Sequence, residues 1–117
     1  MSKKYKFTGE ERIIQIGSEK REVVVKRIVA LKDFSDVAEG DLGGWIQYKS
    51  NLSQSGDCWV YDDACVCENA RVYGDAMIDY GSIVSGQTKI SGSVKVSGAK
   101  IGGDSSINGD VKIRGEK

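Results

Sequence analysis

Ten aliphatic residues recur at near-constant spacing through the second half of the chain. This period constrains the fold more than any other feature. Val60, Val66, Val72, Ile78, Val84, Ile90 and Val96 lie six apart, and after a one-residue deletion the series continues at Ile101, Ile107 and Ile113. An amphipathic helix returns to one face about every 3.6 residues and a flat strand about every two, so neither explains the spacing. Two residues before each aliphatic stands a mostly small side chain: Cys58, Ala64, Ala70, Ala76, Ser82, Thr88, Val94, Ala99, Ser105 and Val111. Turn dipeptides such as Asp62-Asp63, Glu68-Asn69, Gly74-Asp75, Gly86-Gln87, Gly103-Asp104 and Gly109-Asp110 come before those pairs.

The geometry follows from the pattern. The small residue and the aliphatic are two apart, so on a strand both point to one side and the residue between them points outward. The turn pair bends the chain, because glycine permits positive φ and aspartate or asparagine tolerates it. A short strand and a bend, three times over, make a triangular coil of eighteen residues whose successive turns pair as parallel strands. Three core stacks are expected: Val60, Ile78, Val96 and Ile113; Val66, Val84 and Ile101; Val72, Ile90 and Ile107. The shortened step from Val96 to Ile101, flanked by Gly98 and Gly102, should be a tightened corner.

The repeat resembles the hexapeptide-repeat, left-handed parallel β-helix family, in which an aliphatic is followed four residues later by a small side chain. Val60/Ala64, Val66/Ala70, Val72/Ala76, Ile78/Ser82, Val84/Thr88, Ile90/Val94, Ile101/Ser105 and Ile107/Val111 carry the likeness, over roughly residues 56–114. The residue after the aliphatic departs from the family's glycine or acid, being Tyr61, Cys67, Tyr73, Asp79, Ser85 or Ser91. "VYGDA" with the upstream "GDLGGWI" is similar to small phage- and prophage-type repeat proteins named as transferases. Left-handedness is implied by the resemblance alone; a right-handed, bactofilin-like helix shares the spacing. The fold class is therefore all-β: a β-solenoid of about three and a half triangular coils over residues 43–117, with a β-rich N-terminal cap over residues 1–42.

Residues 1–56 break the period. "KYKFTG", "RIIQIG" and "REVVVKRIVAL" are β-rich, with a hairpin turn at Gly17–Lys20. One helical turn is expected near Ser35–Glu39, and "GDLGGWI" should bend the chain into the first coil. Ile46 and Leu52, six apart, begin an irregular one. A solenoid's open ends expose core and strand edges, so residues 1–42 are read as a cap; an arm docking on a neighbour is the alternative.

The 17 basic and 17 acidic residues cancel, which gives no general case for nucleic acid or an anionic membrane. Charge is nevertheless uneven. Residues 57–79 hold Asp57, Asp62, Asp63, Glu68, Asp75 and Asp79 against Arg71 alone, an acidic patch suited to ordinary turns or to a basic partner. No apolar run reaches the roughly 18 residues of a membrane span, and no signal peptide is evident. The three cysteines, Cys58, Cys65 and Cys67, are odd in number and clustered, which points away from a disulfide framework and toward the cytoplasm.

The family resemblance implies acyl transfer with a histidine general base. The chain has no histidine. The expectation is therefore of no catalysis, no cofactor and no metal, and of no acetyl-CoA binding. Cys65-x-Cys67, read as pointing outward, falls short of the usual four zinc ligands. Stacked pairs of bases such as Arg71 with Lys89, and Lys95 with Lys112, read as solvated ladders. Binding is the more natural role. Trp59 over Met77 beside Tyr61, and Cys65 over Ile83, read as exposed apolar ladders, which suggest an interface. Asp62, Asp63, Glu68 and Asp75 add acidic contacts, and Ile113 adds an open end. The reading is a non-catalytic protein-binding module, of the kind a phage uses to inhibit a host defence enzyme, forming a homodimer or, next, a trimer. A self-assembling structural β-helix and a degenerate hexapeptide acyltransferase are the alternatives.

Overall fold

The computed structural model describes residues 3–115, which form thirteen β-strands and one short 3-10 turn with no α-helix among the described residues. The strands are β1 (Tyr5–Ile16), β2 (Arg21–Ala30), β3 (Leu42–Ile46), β4 (Trp59–Val60), β5 (Cys65–Val66), β6 (Arg71–Val72), β7 (Met77–Asp79), β8 (Ile83–Val84), β9 (Lys89–Ile90), β10 (Lys95–Ser97), β11 (Lys100–Ile101), β12 (Ser106–Ile107) and β13 (Lys112–Arg114). From β3 onward the chain winds a parallel β-solenoid of about four coils with three walls. The first wall is β4-β7-β10-β13, the second is β3-β5-β8-β11 and the third is β6-β9-β12.

The register is the one the period dictates. Val60 pairs with Ile78, Ile78 with Val96 and Val96 with Ile113. Ile46, Val66, Val84 and Ile101 stack on the second wall, and Val72, Ile90 and Ile107 on the third. Val60, Val66, Ile78, Val84, Ile90 and Val96 have no solvent exposure. The small residues fill the corners, where Ser82 and Thr88 satisfy their buried hydroxyls on the carbonyls of Asp79 and Ser85. Corner backbones adopt positive φ at Asp62, Glu68, Tyr80 and a series of glycines. Gly74 shows why glycine recurs: a Cβ there would lie 2.9 Å from the backbone nitrogen of Gly92, one coil below. The shortened corner turns at Gly98, with a φ of 64°, and the Ser82 hydroxyl accepts the Ala99 N–H.

The first coil is complete although irregular. Leu52 bridges to Val72 where a third-wall strand would lie. A 3-10 turn, Lys49–Asn51, precedes it, and Asn51 replaces the missing strand contacts with its side chain. The buried amide oxygen accepts the N–H groups of Gln47 and Tyr48, and the amide nitrogen donates to the carbonyls of Glu68 and Ala70. In "GDLGGWI" the bend falls at Gly40, at positive φ, and Leu42–Ile46 is strand, where Gly43 lets β3 approach the neighbouring wall: a Cβ there would fall 2.6 Å from Trp59. The helical turn expected near Ser35–Glu39 is instead a tight antiparallel bridge between Phe34 and Val37, with Ser35 at positive φ.

β1 and β2 form an antiparallel hairpin turning at Gly17–Lys20, and β2 pairs antiparallel with β3. The hairpin thus extends the second wall beyond the first coil and removes its exposed strand edge. It also folds over the outside of the solenoid. Tyr5, Ile28, Ala30 and Phe34 pack with Trp59, while Ile16, Val23 and Val25 pack with Trp45, Cys65 and Cys67. The two apolar ladders expected to lie in solvent are corrected here, since Trp59 is 1% exposed and Cys65 3%. Lone outward aromatic and thiol positions could be exposed or covered, and only the distant hairpin decides which.

Candidate functional site

The solenoid repeat places one outward side chain at each strand centre. On the first wall these are Trp59, Met77, Lys95 and Lys112, and on the second Trp45, Cys65, Ile83 and Lys100. On the third they are Arg71, Lys89 and Ser106. The cap covers the upper part of the first two walls. The third wall stays open, with Arg71 and Lys89 both exposed and directly paired in register.

A recess of about 370 Å³ lies along one flank of this basic pair, lined by Ser50, Ser53, Val72 and Tyr73 with Arg71 and Lys89. A second, of about 460 Å³, lies along the other flank and adds Asn69, Gln87 and Asp104. Like charges directly opposite on neighbouring strands repel, and neither cation makes an ion pair among the described residues. Two cations beside three hydroxyls form a donor-rich surface suited to phosphate oxygens. From sequence, Arg71 over Lys89 reads as plain solvation, Tyr73 stands out only as a departure from the family's column, and neither Ser50 nor Ser53 is singled out. The available signal was the column after the core aliphatics: Ser53 follows Leu52, Tyr73 follows Val72 and Ser91 follows Ile90.

The residues expected at an interface are scattered, and several are already engaged. Tyr61 is half-buried and donates to Asp36 Oδ1 at 2.7 Å; burial first and then that carboxylate push its phenol up. Asp63 meets Arg12 at 3.8 Å, and Glu68 accepts two hydrogen bonds from the Arg21 terminal nitrogen and one from Nε. Glu68 also accepts the Gly86 N–H. Two members of the acidic patch thus face basic residues of the chain's own hairpin. Asp75 accepts the Asp57 N–H, and Asp62 holds an exposed corner at positive φ. Met77 is half-buried, Ile83 is half-buried against the cluster that the hairpin forms with the second wall, and Ile113 is half-buried against the core.

The cysteines differ from their expected placement. Cys65 and Cys67 both lie under the hairpin and are buried, not directed to solvent. Burial raises the Cys65 thiol to about 11 and the Cys67 thiol to about 12, from 9.0. Among the described residues no group of three or more His, Cys, Asp or Glu side chains could hold a metal ion. No described helix is long and apolar enough to cross a membrane.

A pH dependence follows. Between pH 9 and 12 the unfolded thiols have released protons that the folded chain retains, so stability falls as pH rises through this window. The urea midpoint should hold up to about pH 8 and decline by pH 10, and the decline should shrink in Cys65→Ala/Cys67→Ala. A midpoint that rises from pH 8 to 10 contradicts this burial.

Over 86 residues the chain is 36% identical to a protein of Escherichia coli (strain K12) named uncharacterized acetyltransferase YdcK. The match covers 72% of this chain and 25% of that relative, so the chain spans about a quarter of its length. No family model matches the chain. The relative and the parallel solenoid both fit a hexapeptide-repeat β-helix family. The expectation of a non-enzyme rested on the missing histidine, and it is corrected by this similarity, because the relative's name points to an enzyme of acetyl transfer.

Proposed function

We propose that this chain is a solenoid of an acetyl-transferring protein, and that its third wall binds the phosphates of an acetyl-coenzyme A donor. The similarity to YdcK over most of the chain is the observation that carries this reading. The Arg71–Lys89 ridge, without an ion pair among the described residues, supports it, because the donor is a polyanion and the ridge supplies two cations with Ser50, Ser53 and Tyr73 hydroxyls alongside.

Acetyl transfer needs an acceptor nucleophile to attack the thioester carbonyl, expel the coenzyme thiolate and lose a proton to a base. Histidine usually takes that proton, and none is present. Of the residues lining the two recesses, Asp104 is the carboxylate and would act in its place.

Calorimetry at low ionic strength tests the donor site. Acetyl-CoA should bind with a dissociation constant near or below about 100 μM, roughly −5.5 kcal/mol. Arg71→Ala and Lys89→Ala should each weaken it about 5- to 30-fold, through loss of one charge-assisted contact. Lys95→Ala, which removes a stacked lysine from the first wall, should leave it unchanged. Absence of binding at about 1 mM, or equal losses in all three variants, rejects the reading.

A further inference from the structure

Lys4 is the unusual buried charge of this fold. It has no solvent exposure, and no carboxylate pairs with it among the described residues. Its Nζ donates to the carbonyls of Cys58 at 2.7 Å, Gly56 at 3.1 Å and Ser55 at 3.5 Å. It also lies 3.3 Å from Cys58 Sγ, and the Phe34 ring lies 5.1 Å away on another side. Backbone carbonyls thus hold the amine in place against a single thiol. Cys65 and Cys67, in the separate cluster under the hairpin, have no amine among their hydrogen-bond partners in the described residues.

Two further features bear on chemistry between this pair. Burial shifts the Lys4 amine down from its ordinary value, toward the free base with a lone pair, while burial pushes the Cys58 thiol up and the neighbouring Lys4 amine opposes that rise. The pair also sits one layer beneath Ser55, Gly56 and Asp57, an exposed turn whose carbonyls hold the amine. Opening this turn would admit a small oxidant without unfolding the solenoid.

We propose that Lys4 and Cys58 form a covalent modification site, at which a peroxide oxidant joins Nζ to Sγ through one oxygen as an N–O–S bridge. Two equivalents of hydrogen peroxide balance the reaction. The first is attacked by sulfur; its O–O bond breaks, S–OH forms and water leaves. The second is attacked by the amine lone pair, giving N–OH and a second water. The hydroxylamine oxygen then attacks the sulfenyl sulfur, the S–OH oxygen leaves as the third water, and N–O–S results. Sulfur and nitrogen each lose two electrons, and the two peroxides are reduced by four. The bridge joins residues 54 apart in sequence, tying the start of β1 to the residue that precedes β4.

The test treats the full chain with hydrogen peroxide and reads intact mass, followed by proteolytic mapping. The expected product gains about 14 Da, one oxygen in and two hydrogens out, with the residue 4 and residue 58 peptides joined. Dithiothreitol should restore the starting mass. The bridged protein should melt about 5 °C or more higher, as a cross-link across a long loop restricts the unfolded chain. Lys4→Arg and Cys58→Ala should each abolish the joined peptides. Oxidation of Cys58 with Lys4 unmodified, or a gain of about 14 Da that persists in Lys4→Arg, overturns the proposal. Should a variant fail to fold, the joined peptides in the unaltered chain still decide.

Discussion

Trp59→Ala should cost about 3–5 kcal/mol, measured by urea unfolding at neutral pH. The indole is 1% exposed and joins the hairpin to the solenoid. The Phe34 ring meets it edge-on at 5.2 Å between centroids and the Tyr5 ring at 6.3 Å. Gly43 has no Cβ because the indole occupies that space. Truncation therefore leaves a cavity bounded by the cap on one side and the first coil on the other, which the rigid walls have little freedom to fill. Amide exchange in β1 and β2 should quicken more than in β8 to β10, because the hairpin loses its anchor while the later coils keep theirs. A loss below about 1 kcal/mol would mean that the indole faces solvent after all.

Val84→Asp should be at least as damaging, costing several kcal/mol or preventing folding. Val84 has no exposure and lies between Val66 and Ile101 in the second-wall stack. A carboxylate there has no partner, so it must be buried unpaired or take up a proton at neutral pH. Lys89→Asp, on the outer side of the third wall, should change stability by less than about 0.5 kcal/mol, and it removes the repulsion with Arg71. Equal losses from the two would show that the inward and outward positions had been exchanged, which a one-residue slip of register would do.

The six-residue period was enough to read the solenoid, its three stacks and the corner at Gly98. Each inference repeats from coil to coil, so a single wrong assignment would have broken a long series. Ile46 and Leu52 marked the first coil by the same spacing. The candidate donor site was legible only in part. The period places Arg71 over Lys89 and Ser53 after Leu52, but the recess beside them also needs Ser50 from the 3-10 turn of the irregular first coil, where the period gives no position.

The sequence by itself determined which side chains of residues 56–114 point inward, because a strand alternates faces and a bend every six residues can close only as stacked coils. Tertiary structure alone decided what happens to the outward ones. Trp59, Cys65, Asp63 and Glu68 look like parts of a docking surface until the N-terminal cap meets them with Phe34, Val25, Arg12 and Arg21. Those contacts join residues tens of positions apart, each made once, so no periodic pattern announces them. Buried Lys4 belongs to the same class: a lysine near the start of the chain reads as solvated until the fold brings it against Cys58, 54 residues away.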